Sequence, residues 1–196
     1  MWFSSNSATV PLNPAQRHRR RSVALFSQFA LLGACALVLP ITGLANLIAD
    51  NPINGMKRRG SGEFRRFGFL VYEATLWIGG SDPTTPPLAL KLTYKRNIAG
   101  KDIAKASVKE MRRLDIADET QLTRWGEQME KIFPDVRPGD HIIGRYLANG
   151  AQFFLNDKFV GAIDNAAFAH AFFGIWLDAK TSAPDLRNAL LQTQTF

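Results

Sequence analysis

The chain has 196 residues, 46% of them hydrophobic, which suits one domain with its own core. Its single cysteine excludes an internal disulfide and a site built from several thiolates. Four of the 24 Lys and Arg and none of the 17 Asp and Glu lie in residues 1–45, so the remainder carries only +3, too little for the basic face that nucleic-acid binding needs.

At the N-terminus, Arg17, Arg19, Arg20 and Arg21 precede an apolar run over 23–41. Gly43-Leu44-Ala45 then puts small residues at the −3 and −1 positions of a cleavage site. This charged, apolar, small-residue order predicts a signal peptide over 1–45 and a periplasmic or secreted domain. Two alternatives stay open. The run is nearly long enough to cross a bilayer as an uncleaved anchor, and Leu32-Gly33-Ala34-Cys35 resembles a bacterial lipobox in which Cys35 would carry the lipid. Residues 46–59 have little periodicity and read as a linker.

Residues 63–67 and 69–78 read as two strands turning at Gly68, rich in aromatic and β-branched side chains. Residues 81–87, with three prolines, form a loop. Leu88, Leu90, Leu92 and Tyr94 then alternate with Ala89, Lys91, Thr93 and Lys95, the period of a strand with one wet face. After Gly100 the period changes. Asp102 is expected to cap a helix in which Ile103, Ala106, Ser107, Glu110, Met111 and Leu114 recur at helical spacing. Asp118 opens a second helix, aligning Leu122, Trp125, Met129 and Ile132 or Phe133, which Pro134 and Pro138-Gly139-Asp140 end. A β meander follows over 141–147, 152–155 and 159–163, with turns at Asn149-Gly150 and Asn156-Asp157. Asp164 is expected to cap an apolar helix carrying Phe168, Phe172, Ile175 and Trp176, and Pro184 opens the last helix. Strands, two helices, a meander and closing helices predict an α+β layer fold with an antiparallel sheet.

Four segments, GSGEFRRFGFLVYEATLW, RNIAGKDIAKASVKEMRRL, GAQFFLNDKFVGAID and FFGIWLDAKTSAPDLRNALL, occur in an order and spacing that resembles the chalcone isomerase-like proteins, specifically their exported bacterial branch. The resemblance runs from Gly60 to Leu191 and implies a chalcone isomerase-like domain over 60–196. Its fold would be an open-faced β-sandwich, a curved antiparallel sheet packed by a layer of helices, with a ligand cleft between the layers. The family includes plant enzymes that cyclise chalcones and non-catalytic relatives that bind fatty acids. Where the enzymes carry a threonine, a tyrosine, an asparagine and a further threonine, this chain aligns Tyr72, Ile103, Glu110 and Ile175. A flavonoid whose hydroxyls lost those contacts would lose much of its binding energy. The implied domain is non-catalytic, with no catalytic residue, metal or cofactor.

In the lipid-binding relatives, an arginine after a glycine-rich start and a tyrosine on the next strand hold the carboxylate. Gly60-Ser61-Gly62 followed by Arg65 and Arg66, with Tyr72 beyond, resembles that arrangement. The implied ligand-binding residues are therefore Arg65 or Arg66, together with Tyr72. A guanidinium fork and a phenol suit a carboxylate in a cleft with little water. Neighbours on a strand face opposite ways, so one arginine would be a rim charge. A solvated strand edge for both is the competing reading. The implied partner is a small amphipathic ligand such as a fatty acid, with no nucleic acid, and with membrane contact only through the N-terminal segment if that is uncleaved or lipidated. An intramolecular lyase or isomerase and a structural, partner-binding periplasmic protein are the alternatives. His141 and His170 lack a second ligand at metal spacing and read as structural.

Overall fold

A computed structural model describes residues 51–192. The signal, anchor and lipobox readings, Cys35 included, lie outside the described residues. Six strands pair in chain order as one antiparallel meander: β1 (Lys57–Arg66), β2 (Phe69–Ile78), β3 (Leu88–Tyr94), β4 (His141–Leu147), β5 (Gly150–Leu155) and β6 (Lys158–Ile163). Helices α1 (Gly100–Arg113) and α2 (Glu119–Ile132) lie between β3 and β4 in the chain, and α3 (Ala166–Leu177) and α4 (Pro184–Leu191) follow β6. In the layer of helices, α4 packs on β1, α3 on β4 and β5, and α2 on β6, while α1 packs on α2 and α3. This is the α+β open sheet that the sequence predicts.

One register row explains how the layers meet. Gly60, Leu76, Leu90, Gly144, Phe153 and Gly161 are successive partners across all six strands. Leu76, Leu90 and Phe153 in that row are buried under the helices. The glycines stand where the helices come closest. A Cβ on Gly60 would overlap the backbone carbonyl oxygens of Ala189 and Leu190 in α4, and one on Gly62 would lie 2.9 Å from the Ala189 Cβ. The glycine-rich start of β1 thus lets a helix lie directly on the strand edge.

Several local readings change. β1 begins at Lys57, inside the expected linker, because residues 57 and 58 pair with Ile78 and Trp77. Upstream, Ile53 and Met56 pack with Trp77 against Ala89, Ile143 and Phe154, a small cluster separate from the main core. Asp102 lies in the first turn of α1 but does not cap it; the Gly100 N–H donates instead to Asp135 Oδ1 at 2.8 Å. Asn165, one residue beyond the expected Asp164, caps α3 by accepting from the Phe168 N–H at 2.8 Å. Asp118 caps α2 as expected. Gly150 is already in β5, so the β4–β5 turn is Ala148-Asn149. Phe67 and Gly68 form the β1–β2 turn with φ of 51° and 80°, and Asn156 and Asp157 form the β5–β6 turn with 48° and 67°, the double positive φ that matches the twist of a tight hairpin.

Candidate functional site

Tyr72 stands on β2 two residues before the buried Ala74, on the helix-covered face, with Phe64 and Tyr94 as its register partners on β1 and β3. The Phe64 ring stacks on Tyr72 at 4.9 Å between centroids, and Tyr94 meets it edge-on at 6.0 Å. From α3, Trp176 Nε1 donates to the Tyr72 hydroxyl oxygen at 3.0 Å. That bond uses a lone pair and leaves the phenol proton for another acceptor. The Tyr94 ring, buried beside it, brings a second hydroxyl to this cluster. Two phenol donors therefore stand close together in an aromatic interior.

Their protonation follows from burial. Desolvation drives the Tyr72 phenol far above the ordinary tyrosine range; the Trp176 hydrogen bond opposes this and the negative charge of Glu110 adds to it. Tyr94 is raised by burial and then by its proximity to Tyr72. Both stay neutral, so they act as donors and not as bases. Glu110 lies on α1, where its carboxylate accepts from Arg113 Nε at 2.9 Å. Phe172 extends the wall, meeting Trp176 at 5.4 Å and Phe168 at 5.5 Å.

A pH prediction follows. All three tyrosines of the chain, Tyr72, Tyr94 and Tyr146, have raised phenols, Tyr146 through burial alone. A group whose folded-state pKa is raised contributes stability that is complete below its unfolded value, about 10, and is lost as pH rises above it. Alkaline titration read at 295 nm is expected to show at most one tyrosine, Tyr146, ionising in the folded protein. The Tyr72 and Tyr94 signal should appear together with unfolding, at a pH that added denaturant lowers. Reversible ionisation of more than one tyrosine near pH 10 with native circular dichroism would contradict this.

The structure brings Tyr72 into the interior and leaves both arginines outside it. Arg65 is exposed, paired with Glu63 Oε2 at 2.8 Å, with Nη1 donating to the Gly68 carbonyl at 3.3 Å. Arg66 is exposed, with its guanidinium over the Phe67 ring at 5.4 Å. No hydrogen bond joins either to Tyr72 among the described residues. Phe64, and not an arginine, is the β1 residue opposite Tyr72, and a bulge between Phe64 and Arg65 shifts the register toward the tip. The sequence reading passed over Phe64, Tyr94 and Trp176 as site residues. Their apolar bodies fit the core pattern, and only contact between elements reveals what their polar ends meet. Ile175, the other α3 position of interest, is buried, and its carbonyl accepts from Thr181 Oγ1 at 2.6 Å. Among the described residues no three His, Cys, Asp or Glu are grouped to hold a metal, and no helix is long and apolar enough to cross a membrane.

An antiparallel meander with helices on one face and a tyrosine-centred interior between the layers defines a class. The chalcone isomerase-like family model matches residues 59–192, and the chain belongs to that family. It is 33% identical over 135 residues to an uncharacterized protein of Haemophilus influenzae, an alignment covering 67% of this chain and 66% of that protein. The chain thus spans just under two thirds of that relative's length. Among solved structures it is similar to a fatty-acid binding protein of Arabidopsis thaliana, with a TM-score of 0.56 and 10% identity, covering 70% of this chain and 87% of the other. At that identity the likeness concerns the fold.

Proposed function

We propose that this domain is a non-catalytic binder of a small amphipathic carboxylate, such as a fatty acid, acting outside the cytoplasm after export. The observation that carries the reading is the pair of neutral phenols, Tyr72 and Tyr94, one of them oriented by Trp176, within an otherwise apolar aromatic interior. Two O–H donors suit the oxygens of a carboxyl head. Two further buried polar side chains, Ser107 and Thr181, donate to the Ile103 and Ile175 carbonyls, which ties them to structure and not to chemistry. Similarity in fold to a fatty-acid binding protein supports the ligand class. The arginines, apolar run and Gly43-Leu44-Ala45 of the N-terminal segment support export.

In this reading Arg65 and Arg66 are rim charges. Changing either to Ala is expected to alter affinity for a soluble fatty acid by no more than about 0.5 kcal/mol, as for other exposed side chains. A large loss in one of them, measured by fluorescence displacement, would restore an arginine anchor. The class of ligand is tested by mass spectrometry of organic extracts from protein purified from its own host. Alkyl carboxylates in amounts that scale with protein support the proposal; a flavonoid, or no small molecule under conditions that retain a control lipid-binding protein's ligand, would overturn it.

A further inference from the structure

The tip of the β1–β2 hairpin combines features that folding does not require. Phe67, in the two-residue turn, is 87% exposed, and Phe69, the first residue of β2, is 60% exposed. Phe67 also holds a φ of 51°, a region that asparagine or glycine occupies far more readily than a bulky aromatic residue. Its backbone position is therefore unfavourable, and its side chain buries little in return. Each exposed ring is accompanied by a guanidinium: Arg66 over Phe67 at 5.4 Å and Arg96 over Phe69 at 4.6 Å. Arg96 reaches the tip because the neighbouring Lys95 N–H donates to the Val71 carbonyl at 2.9 Å, tying the end of β3 to the start of β2.

The surrounding charge is unbalanced. Arg65 is paired with Glu63 at 2.8 Å and Lys95 with Glu73 at 3.0 Å, while Arg66 and Arg96 have no carboxylate partner among the described residues. Two exposed aromatic rings with two unneutralised arginines stacked on them fit one kind of surface well. An anionic bilayer offers an apolar layer for the rings and phosphates for the guanidinium groups at adjacent depths. We infer that the β1–β2 hairpin tip is a docking element for an anionic phospholipid surface, with Phe67 and Phe69 entering the interface and Arg66 and Arg96 meeting the head groups. This contact is separate from the N-terminal segment, to which the sequence reading confined any membrane contact. It also stands whether or not a ligand occupies the Tyr72 site. Tyr72 and Phe64 lie only a few residues from the turn, so docking would hold that end of the sheet against the lipid.

The test uses the full-length chain with Cys35→Ser and Phe67→Cys, labelled at position 67 with an environment-sensitive NBD group. A second chain carries the label at Asn149→Cys, in the turn at the opposite end of the strands. Vesicles of phosphatidylcholine, alone or mixed with phosphatidylglycerol, are added. The expected result is an emission shift to shorter wavelength at position 67 with the anionic vesicles only, and none at 149. Arg66→Gln and Arg96→Gln, both at exposed sites that leave the fold intact, are each expected to reduce the inserted population about five-fold, or about 1 kcal/mol per basic residue. The inference is overturned by unchanged emission at 67, by equal shifts at 67 and 149, or by a shift that phosphatidylcholine alone produces equally.

Discussion

Changing Gly60 to alanine is expected to destabilise the domain by about 3 kcal/mol, the upper part of the usual range for overpacking. The added methyl would overlap the Ala189 and Leu190 carbonyl oxygens and lie 2.8 Å from the Leu190 carbonyl carbon. These are backbone atoms of a helix, so relief requires α4 to move off β1. That movement would expose Leu186 and Leu190, which are buried against the sheet side of the helix layer. Gly62 makes the comparison informative. Its new methyl would meet the Ala189 Cβ at 2.9 Å and the Leu186 Cδ1 at 3.0 Å, side-chain atoms of which the leucine can rotate away. Gly62→Ala is expected to cost less, about 1 to 2 kcal/mol. Urea midpoints at unchanged slope measure both. If Gly60→Ala is no worse than Gly62→Ala, α4 is not held against β1 as described.

Tyr72→Phe is the second large effect, because one oxygen serves both stability and the site. Removing it leaves the Trp176 indole N–H without its 3.0 Å acceptor in a buried position, an unsatisfied donor worth about 1 to 3 kcal/mol. Adding Trp176→Phe to Tyr72→Phe removes the stranded donor as well, so the double variant should lose less than the two single losses added together. Strict additivity in denaturation midpoints would mean that the two side chains do not act as a pair. The same hydroxyl also donates in the proposed site, where a hydrogen bond to a charged oxygen is worth about 2 kcal/mol, or about thirty-fold in affinity.

The sheet was legible in the sequence where its pattern was local. Leu88 to Tyr94 form the expected strand in register between β2 and β4, but the face read as wet is partly covered, with Ala89 buried in the small cluster of Ile53, Met56 and Trp77. The turn at Asn156-Asp157 was equally plain, since both residue types tolerate positive φ. β1 was legible only in its second half. Lys57, Arg58, Arg59 and Gly60 have no alternating apolar pattern, and they become strand by pairing with β2 and by lying under α4. The cap of α1 was hidden for a similar reason: Asp135 reaches Gly100 from 35 positions away. In the site, Tyr72 came from the family resemblance. Its hydrogen-bond partner is 104 positions distant on an apolar helix, where a tryptophan reads simply as core. Arg65 and Arg66 came from the resemblance alone, and the bulge after Phe64, which carries them toward the hairpin tip, is set by pairing and not by composition.

The most direct test of the proposed carboxyl site compares a long-chain fatty acid with its methyl ester, by displacement of a fluorescent probe, in the unmodified protein, Tyr72→Phe and Arg65→Ala. The account predicts that the unmodified protein prefers the acid, that Tyr72→Phe loses about thirty-fold for the acid and much less for the ester, and that Arg65→Ala resembles the unmodified protein. Equal affinity for acid and ester, with no further loss in Tyr72→Phe, would contradict a head-group site built on these phenols.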